Sequence, residues 1–349
     1  MPFIFSIACF EAKRRRKIME IRRNRHLRNA SSILKISEKR FIQSFRLSKE
    51  LFLFVLNKLS PHLKPSRLSH SIQLAAVLRY LAIGSYQLAI AKDHHINIGR
   101  STFGKILHKI IRKLEILICN DTITLKMTPQ DMEKSKEYFN NKFQLPNIIA
   151  CVDGTHIRIK KPVNNDSVYF NRKGYFSLNA MVVCNYNMEI IAVDCTHPGS
   201  CHDSFIWNNS QARLYFSRAL NGHFVLADSG YALENFVLTP FRSAENGSPQ
   251  HICNKKHAAA RNIVERTIGL LKSRFRCMQR SLNYEPGFAC SIINVCCALH
   301  NICRKNTGPL QDDYCSYDEN FDYEDPATEF EDQQDGTSIR NEIAQYLSQ

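Results

Sequence analysis

Between residues 40 and 119 the apolar positions recur at helical spacing. Leu47-Ser48-Lys49-Glu50-Leu51 marks a helix start with Ser48 as its N-cap. Ile72, Ala75, Ala76, Leu78, Tyr80 and Leu81 share a helix predicted over 71–83, which Gly84-Ser85 closes. A short helix is expected over 86–91 and a turn over 94–99. Ser101 then caps a third helix over 102–118, with Phe103, Ile106, Leu107, Ile110, Leu114 and Leu117 inward. Helix, short helix, turn and capped basic helix is the order of a helix-turn-helix. Arg100, Lys105, His108, Lys109 and Arg112 fall on the polar side and are candidate DNA contacts. Many helical bundles share this pattern without touching DNA.

Thr128-Pro129 opens an acidic helix that Pro146 ends, and the period then changes. Residues 148–160 form an apolar strand that turns amphipathic. Residues 176–186 and 188–196 form a hairpin across Asn187, and 224–227 is a short buried strand. Helices are expected over 203–219, 261–276 and 287–303. The order is β-β-β-α-β-loop-α-α, with no internal repeat. The predicted fold class is α/β: a ribonuclease H-like catalytic domain preceded by an all-α, helix-turn-helix-like domain.

Charge sharpens this picture. The formal net charge is +15, yet residues 306–336 hold 11 acidic residues and no Lys or Arg, so the remainder carries about +26. A field of that sign favours a polyanion such as DNA or RNA, or an anionic membrane. Residues 13–17 and 22–25 are basic runs of the kind used for nuclear import or phosphate contact. The 13 cysteines are irregularly spaced and odd in number, and no secretory signal is visible, so reduced thiols inside a cell are expected. No stretch approaches the length of apolar sequence that a membrane span needs.

Four acidic residues sit where phosphate chemistry would need them. Asp153 lies in Cys-Val-Asp-Gly-Thr-His, Asp203 in Gly-Ser-Cys-His-Asp-Ser, Asp228 in Ala-Asp-Ser-Gly-Tyr and Glu265 in Ile-Val-Glu-Arg-Thr. Carboxylates converging in a basic protein suit hard cations such as Mg²⁺ or Mn²⁺. Asp153 is on the first strand, and Asp228 ends a strand expected beside it. Glu265 is mid-helix with Arg261, Lys272 and Arg276 at −4, +7 and +11, one face that could grip a phosphate backbone. Each residue alone has a plainer reading. An Asp before Gly is often a turn residue, Asp203 could be a helix N-cap or a first-turn dipole partner, and Glu265 could pair with Arg261 at the surface. His156, His197 and His202 lie near these acids but are more often packing or hydrogen-bonding residues. Cys296, His300 and Cys303 have zinc-like spacing without an obvious fourth ligand, which favours buried packing.

The chain resembles a known family at this point. The motifs above, with Asn-Arg-Lys-Gly-Tyr-Phe-Ser-Leu-Asn, Val-Glu-Arg-Thr-Ile-Gly-Leu-Leu-Lys-Ser-Arg-Phe-Arg-Cys and Ala-Leu-His-Asn-Ile-Cys, are similar to those of the PIF/Harbinger DDE transposases and the nuclease domesticated from them. The likeness runs over about residues 40–305. It implies divalent-metal-dependent DNA cleavage with Asp153, Asp228 and Glu265 as the catalytic acids and Asp203 counted among the metal ligands. It also implies a separate Myb-like DNA-binding partner, action as a multimer, and a nuclear protein that could also be cytoplasmic. The rival class is a non-catalytic DNA-binding regulator derived from a transposase. The expected organisation is a basic arm without fixed structure over 1–30, a helical domain over 31–128, the nuclease domain over 129–305, and an acidic tail over 306–349 with a helical stretch near 339–347.

Overall fold

The structure, a computed structural model, describes residues 2–30, 33–93, 95–219, 222–306 and 334–348. They form two compact units, Met1–Leu114 and Glu115–Gln349.

The first unit is helical: α1 (Pro2–Ala30), α2 (Glu38–Phe45), α3 (Lys49–Leu59), α4 (His70–Ile83), α5 (Gln87–Ala91) and α6 (Arg100–Leu114). The expected unstructured arm is instead α1, 29 residues with no glycine and no proline after its first position, where proline is tolerated. Its described side chains, including the 13–17 basic run, are exposed. Ser48 caps α3 as expected, accepting from the Leu51 amide at 3.1 Å. Gly84 ends α4 in the left-handed conformation. The rings of Phe41, Phe45 and Phe52 pack at centroid distances of 4.8 and 5.4 Å in the buried core. The third helix begins at Arg100, so Ser101 lies in its first turn and does not cap it. Arg100, Lys105, His108, Lys109 and Arg112 are exposed on α6.

The expected boundary after residue 128 falls instead after Leu114. There the helix gives way to a wide π-type turn, Glu115–Cys119, which belongs to the second unit. Its Glu115 accepts from Asn294 Nδ2 at 2.9 Å, which ties the turn to the C-terminal part of that unit.

The second unit continues with α7 (Asn120–Thr122), α8 (Pro129–Phe143), β1 (Ile148–Arg158), α9 (Asp166–Tyr169), β2 (Ser177–Cys184), β3 (Ile190–Pro198), α10 (Asp203–Asn208), α11 (Gln211–Ala219), β4 (Phe224–Leu226), β5 (Val237–Leu238), α12 (Pro249–Arg274), α13 (Pro286–Asn306) and α14 (Gln334–Tyr346). The five strands make one sheet in the order β3-β2-β1-β4-β5. β1, β2 and β3 are antiparallel, while β4 runs parallel to β1 and β5 parallel to β4. On one face Val152, Val225, Trp207, Phe216 and Tyr231 form a dry cluster under α10 and α11. The other face carries α12, where Cys151 Sγ meets the Ala260 carbonyl at 4.0 Å.

Three expectations change. The helix of residues 203–219 breaks at Asn209-Ser210 into α10 and α11. α12 begins twelve residues before Arg261, at Pro249, with Ser248 as a cap accepting from the His251 amide. α13 is long and apolar enough to pass for a membrane span, but most of it is buried within this unit. Its His300 and Asn301 explain the Ala-Leu-His-Asn-Ile-Cys motif. Asn301 holds both the amide and the carbonyl of Ile190 on β3 (2.8 and 2.7 Å), and His300 Nε2 meets the Met188 carbonyl at 2.9 Å. With Arg274 at its other ring nitrogen, His300 is a packing residue and not a zinc ligand. Of the expected acidic tail, residues 307–333 lie outside the described residues. The helical stretch near 339–347 is α14, which buries Ile343 and Ala344 and sets Arg340 over the Phe241 ring.

Candidate active site

β1 builds the centre of the site. Its side chains alternate between the two faces of the sheet. Cys151, Asp153 and Thr155 turn toward α12, and Val152 and Gly154 turn the other way. Asp153 is 8% exposed. Its neighbour across the sheet follows from the parallel register. Cys151 is opposite Leu226, so two residues further along Asp153 is level with Asp228. Asp228 has left the strand, and its Oδ1 accepts from the Gly230 amide at 3.0 Å.

Arg261 reaches Asp153 from α12, and Glu265, one helical turn on, is joined to Arg261. The Arg261 guanidinium lies 3.4 Å from Asp153 Oδ2 and also hydrogen-bonds Glu265 Oε1. Arg261 is itself only 8% exposed. About two turns beyond Glu265, Lys272 Nζ donates to Thr155 Oγ1 at 2.6 Å. The expected single cationic face therefore divides. Arg261 and Lys272 point inward to β1, because α12 lies on the sheet, and Arg276 falls beyond the end of α12, exposed at the start of a 3₁₀ turn that buries Cys277 and Met278.

Asp203 approaches from the opposite face. It is the first residue of α10, whose N-cap is His202, so the N-cap alternative is excluded. Asn179 of β2 donates to its Oδ1 at 2.6 Å and to the Cys201 carbonyl at 3.0 Å. The Asp203 carboxylate presses on Gly154, where any Cβ would overlap it. Gly154 is thus a close-approach glycine inside a strand and not a turn residue. Sequence reading missed Asn179 and Thr155. The signal for Asn179 was a polar residue within an otherwise apolar strand, Ser177–Cys184.

Burial pushes the Asp153 carboxyl up to about 7; Arg261 opposes that rise, and Asp228 and Asp203 add to it. Asp203 is also raised, first by burial, with the Asn179 bond opposing and Asp228 adding repulsion. Burial lowers the Lys272 ammonium to about 8, and the pull of Asp153 works against that. His156 is lowered to about 4 by burial and by Lys173 and Lys272, and its Nδ1 lies 3.1 Å from Ser177 Oγ. His197 sits beside Asp194 at 3.5 Å, and His202 contacts Arg172. Among the described residues no three His, Cys, Asp or Glu side chains already stand close enough to share an ion. Asp153 and Glu265 come from the α12 side, Asp203 from the α10 side and Asp228 from beyond β4. Arg261 lies between the first two.

Residues 152–301 match the family described as DDE superfamily endonuclease, and that segment contains all four acids. That segment therefore carries a DDE superfamily endonuclease domain, and the similarity to relatives extends over most of the chain. It is 28% identical over 264 residues to the rat protein "Putative nuclease HARBI1", covering 72% of this chain and 74% of that one. The Homo sapiens protein of the same name is 26% identical over 294 residues, covering 79% and 83%. "Protein ALP1-like" of Arabidopsis thaliana is 26% identical over 295 residues, covering 76% and 70%. No solved structure matches the chain.

Proposed function

We propose that this protein is a divalent-metal-dependent DNA endonuclease with a ribonuclease H-like catalytic domain. The observation that carries the reading is that Asp153 on β1 and Asp228, just past the end of the parallel β4, follow on from the Cys151–Leu226 pairing, with Asp203 against Gly154 on one face and Arg261 joining Asp153 to Glu265 on the other. The sheet order, three antiparallel strands followed by two parallel ones, supports the fold. The DDE endonuclease match supports the chemistry.

The donor set fits a hard cation. It offers carboxylate oxygens only, and two of the carboxyls are held high by burial and mutual repulsion that a cation would relieve. Asp153, Asp203, Asp228 and Glu265 would hold Mg²⁺ or Mn²⁺. When bound, the metal supplies charge neutralisation at the phosphate and a water of lowered pKa. The chain's own residues do the rest. Asn179 and Gly154 fix the approach of Asp203. Arg261 balances Asp153 and Glu265. Lys272, steered by Thr155, sets an ammonium beside the acids where a phosphate oxygen would carry negative charge.

DNA is the substrate this reading assigns. The exposed α6 residues Arg100 and Lys105 are secondary contacts in a helix-turn-helix-like unit, and Arg276 is a contact beyond α12. A Myb-like protein supplies sequence reading, the protein acts as a homo-oligomer, and it works in the nucleus with a cytoplasmic pool. The test is purified protein with Mg²⁺ or Mn²⁺ on labelled duplex DNA beside Asp153→Ala. Cleavage by the wild type alone supports the reading. DNA binding without metal-dependent cleavage would place the protein in the regulatory class instead.

A further inference from the structure

Arg261 is paired to the acids and Lys272 is held at the reacting phosphate by Thr155, so the rest of a duplex backbone needs further cations around the centre. The loop between α9 and β2 is built to carry them. Phe170 and Phe176 bridge its base, and the Asn171 amide donates to the Tyr175 carbonyl at 3.0 Å. The Asn171 side chain folds the interior: its Oδ1 accepts from the Lys173 and Tyr175 amides at 3.0 and 3.3 Å, and its Nδ2 donates to Ser177 Oγ at 2.8 Å. Gly174 takes a φ of +79°, which lets the tip turn back. The loop is also held from outside, because Gly199 packs so closely on the Tyr169 and Ser177 carbonyls that a Cβ there would overlap them.

This frame leaves Arg172 and Lys173 exposed at the tip. Arg172 lies near one of the acids. The Arg172 guanidinium contacts the ring of His202 at 2.8 Å, one residue before Asp203, and its charge is felt at Asp203. The charge of Lys173 is felt at Lys272 and His156. At the other end of the loop, the exposed Arg158 lies 4.1 Å over the Tyr175 ring. The loop and the end of β1 thus present three exposed cations beside a carboxylate centre, with Arg172 placed by His202 and Arg158 by the Tyr175 ring. Neither contact neutralises its charge, so the group suits an incoming anion.

We propose that the 171–175 loop, through Arg172 and Lys173 with Arg158 behind them, is the phosphate-backbone clamp that holds duplex DNA against the carboxylate centre. This rests on the endonuclease reading and adds the substrate-holding site to it. Phosphate contacts position a nucleic acid without reading its sequence, so the clamp acts on any duplex.

The test is binding of the full-length chain to a mixed-sequence fluorescent duplex in EDTA, followed by anisotropy over a series of KCl concentrations. Cleavage plays no part in this readout. Arg172→Gln with Lys173→Gln should lower the slope of log K against log salt by roughly one unit per residue, with an unchanged melting temperature. Arg218→Gln on α11, outside the loop and the acids, should leave the slope as it is. If the wild type binds and the double variant keeps its affinity and slope, the clamp is wrong and the endonuclease reading stands. If the wild type prefers RNA of the same sequence, the duplex DNA clamp is wrong. If the wild type binds no nucleic acid and cleaves none with Mn²⁺, both readings fall.

Discussion

The carboxylate of Asp203 lies against the bare Cα of Gly154, on the side of β1 away from Asp153. The strand backbone therefore separates two of the four acids, and a side chain at residue 154 would push them further apart. Gly154→Ala should cost about 1–3 kcal/mol through overpacking, read as a lower urea midpoint. It should also remove Mn²⁺-dependent cleavage even where the protein remains folded. An alanine variant with wild-type midpoint and cleavage would show that the close approach does not matter.

Arg261 is a buried cation held by two buried or half-buried acids. Arg261→Gln removes the cation that holds the Asp153 carboxyl down, so that carboxyl should rise above about 7 and the variant should lose most stability at alkaline pH. Adding Asp153→Asn to the same chain should recover much of that loss, because the uncompensated charge is gone. A double variant no more stable than Arg261→Gln would show that the pair is not coupled.

The raised Asp153 carboxyl sets a pH dependence in EDTA. Its native value of about 7 exceeds the ordinary 3.8, so from about pH 4 to pH 7 the unfolded chain has released a proton that the native state keeps. Stability contributed by this group falls as pH rises through that window. Asp153→Asn removes the loss. Its melting temperature should gain on the wild type steadily between pH 4.5 and 7.5, and a constant difference would contradict the assignment.

Much of this was legible in the chain. The Asp153 motif sits within β1 and the Asp228 motif just past β4, strands whose apolar runs are unmistakable, and α13 follows from its periodicity. The inward turn of Arg261 and Lys272 was not legible. A helical wheel places them with Glu265 on one face but does not say that a sheet lies beneath it. The first three turns of α12 were missed because Gln250, Asn254, Lys255 and Lys256 break the apolar period, although Ser248-Pro249 is a start signal. β5 is two residues long and leaves no pattern at all. The partnership of Asn179 and Asp203 depends on the β2 register and on where α10 begins, and local sequence encodes neither.

Asn301 links α13 to the β2–β3 hairpin through Ile190 and to α7 through the Thr122 carbonyl. Asn301→Ala leaves a buried backbone amide and carbonyl without partners and should cost about 2–4 kcal/mol. Because Asn301 touches none of the four acids, cleavage per folded molecule should stay near wild type at low temperature. A specific loss of cleavage with normal stability would mean that the motif serves the site directly.

The central claim is that four carboxylates brought around β1 form a metal-dependent nuclease centre. The most direct measurement is Mn²⁺-dependent nicking of duplex DNA by Asp153→Asn, Asp203→Asn, Asp228→Asn and Glu265→Gln, each with its melting temperature in EDTA. The account predicts that every variant loses nicking while the Asp153 and Asp203 variants melt at or above the wild-type temperature, since burial and repulsion are relieved. Nicking by Asp228→Asn equal to that of the wild type would contradict it.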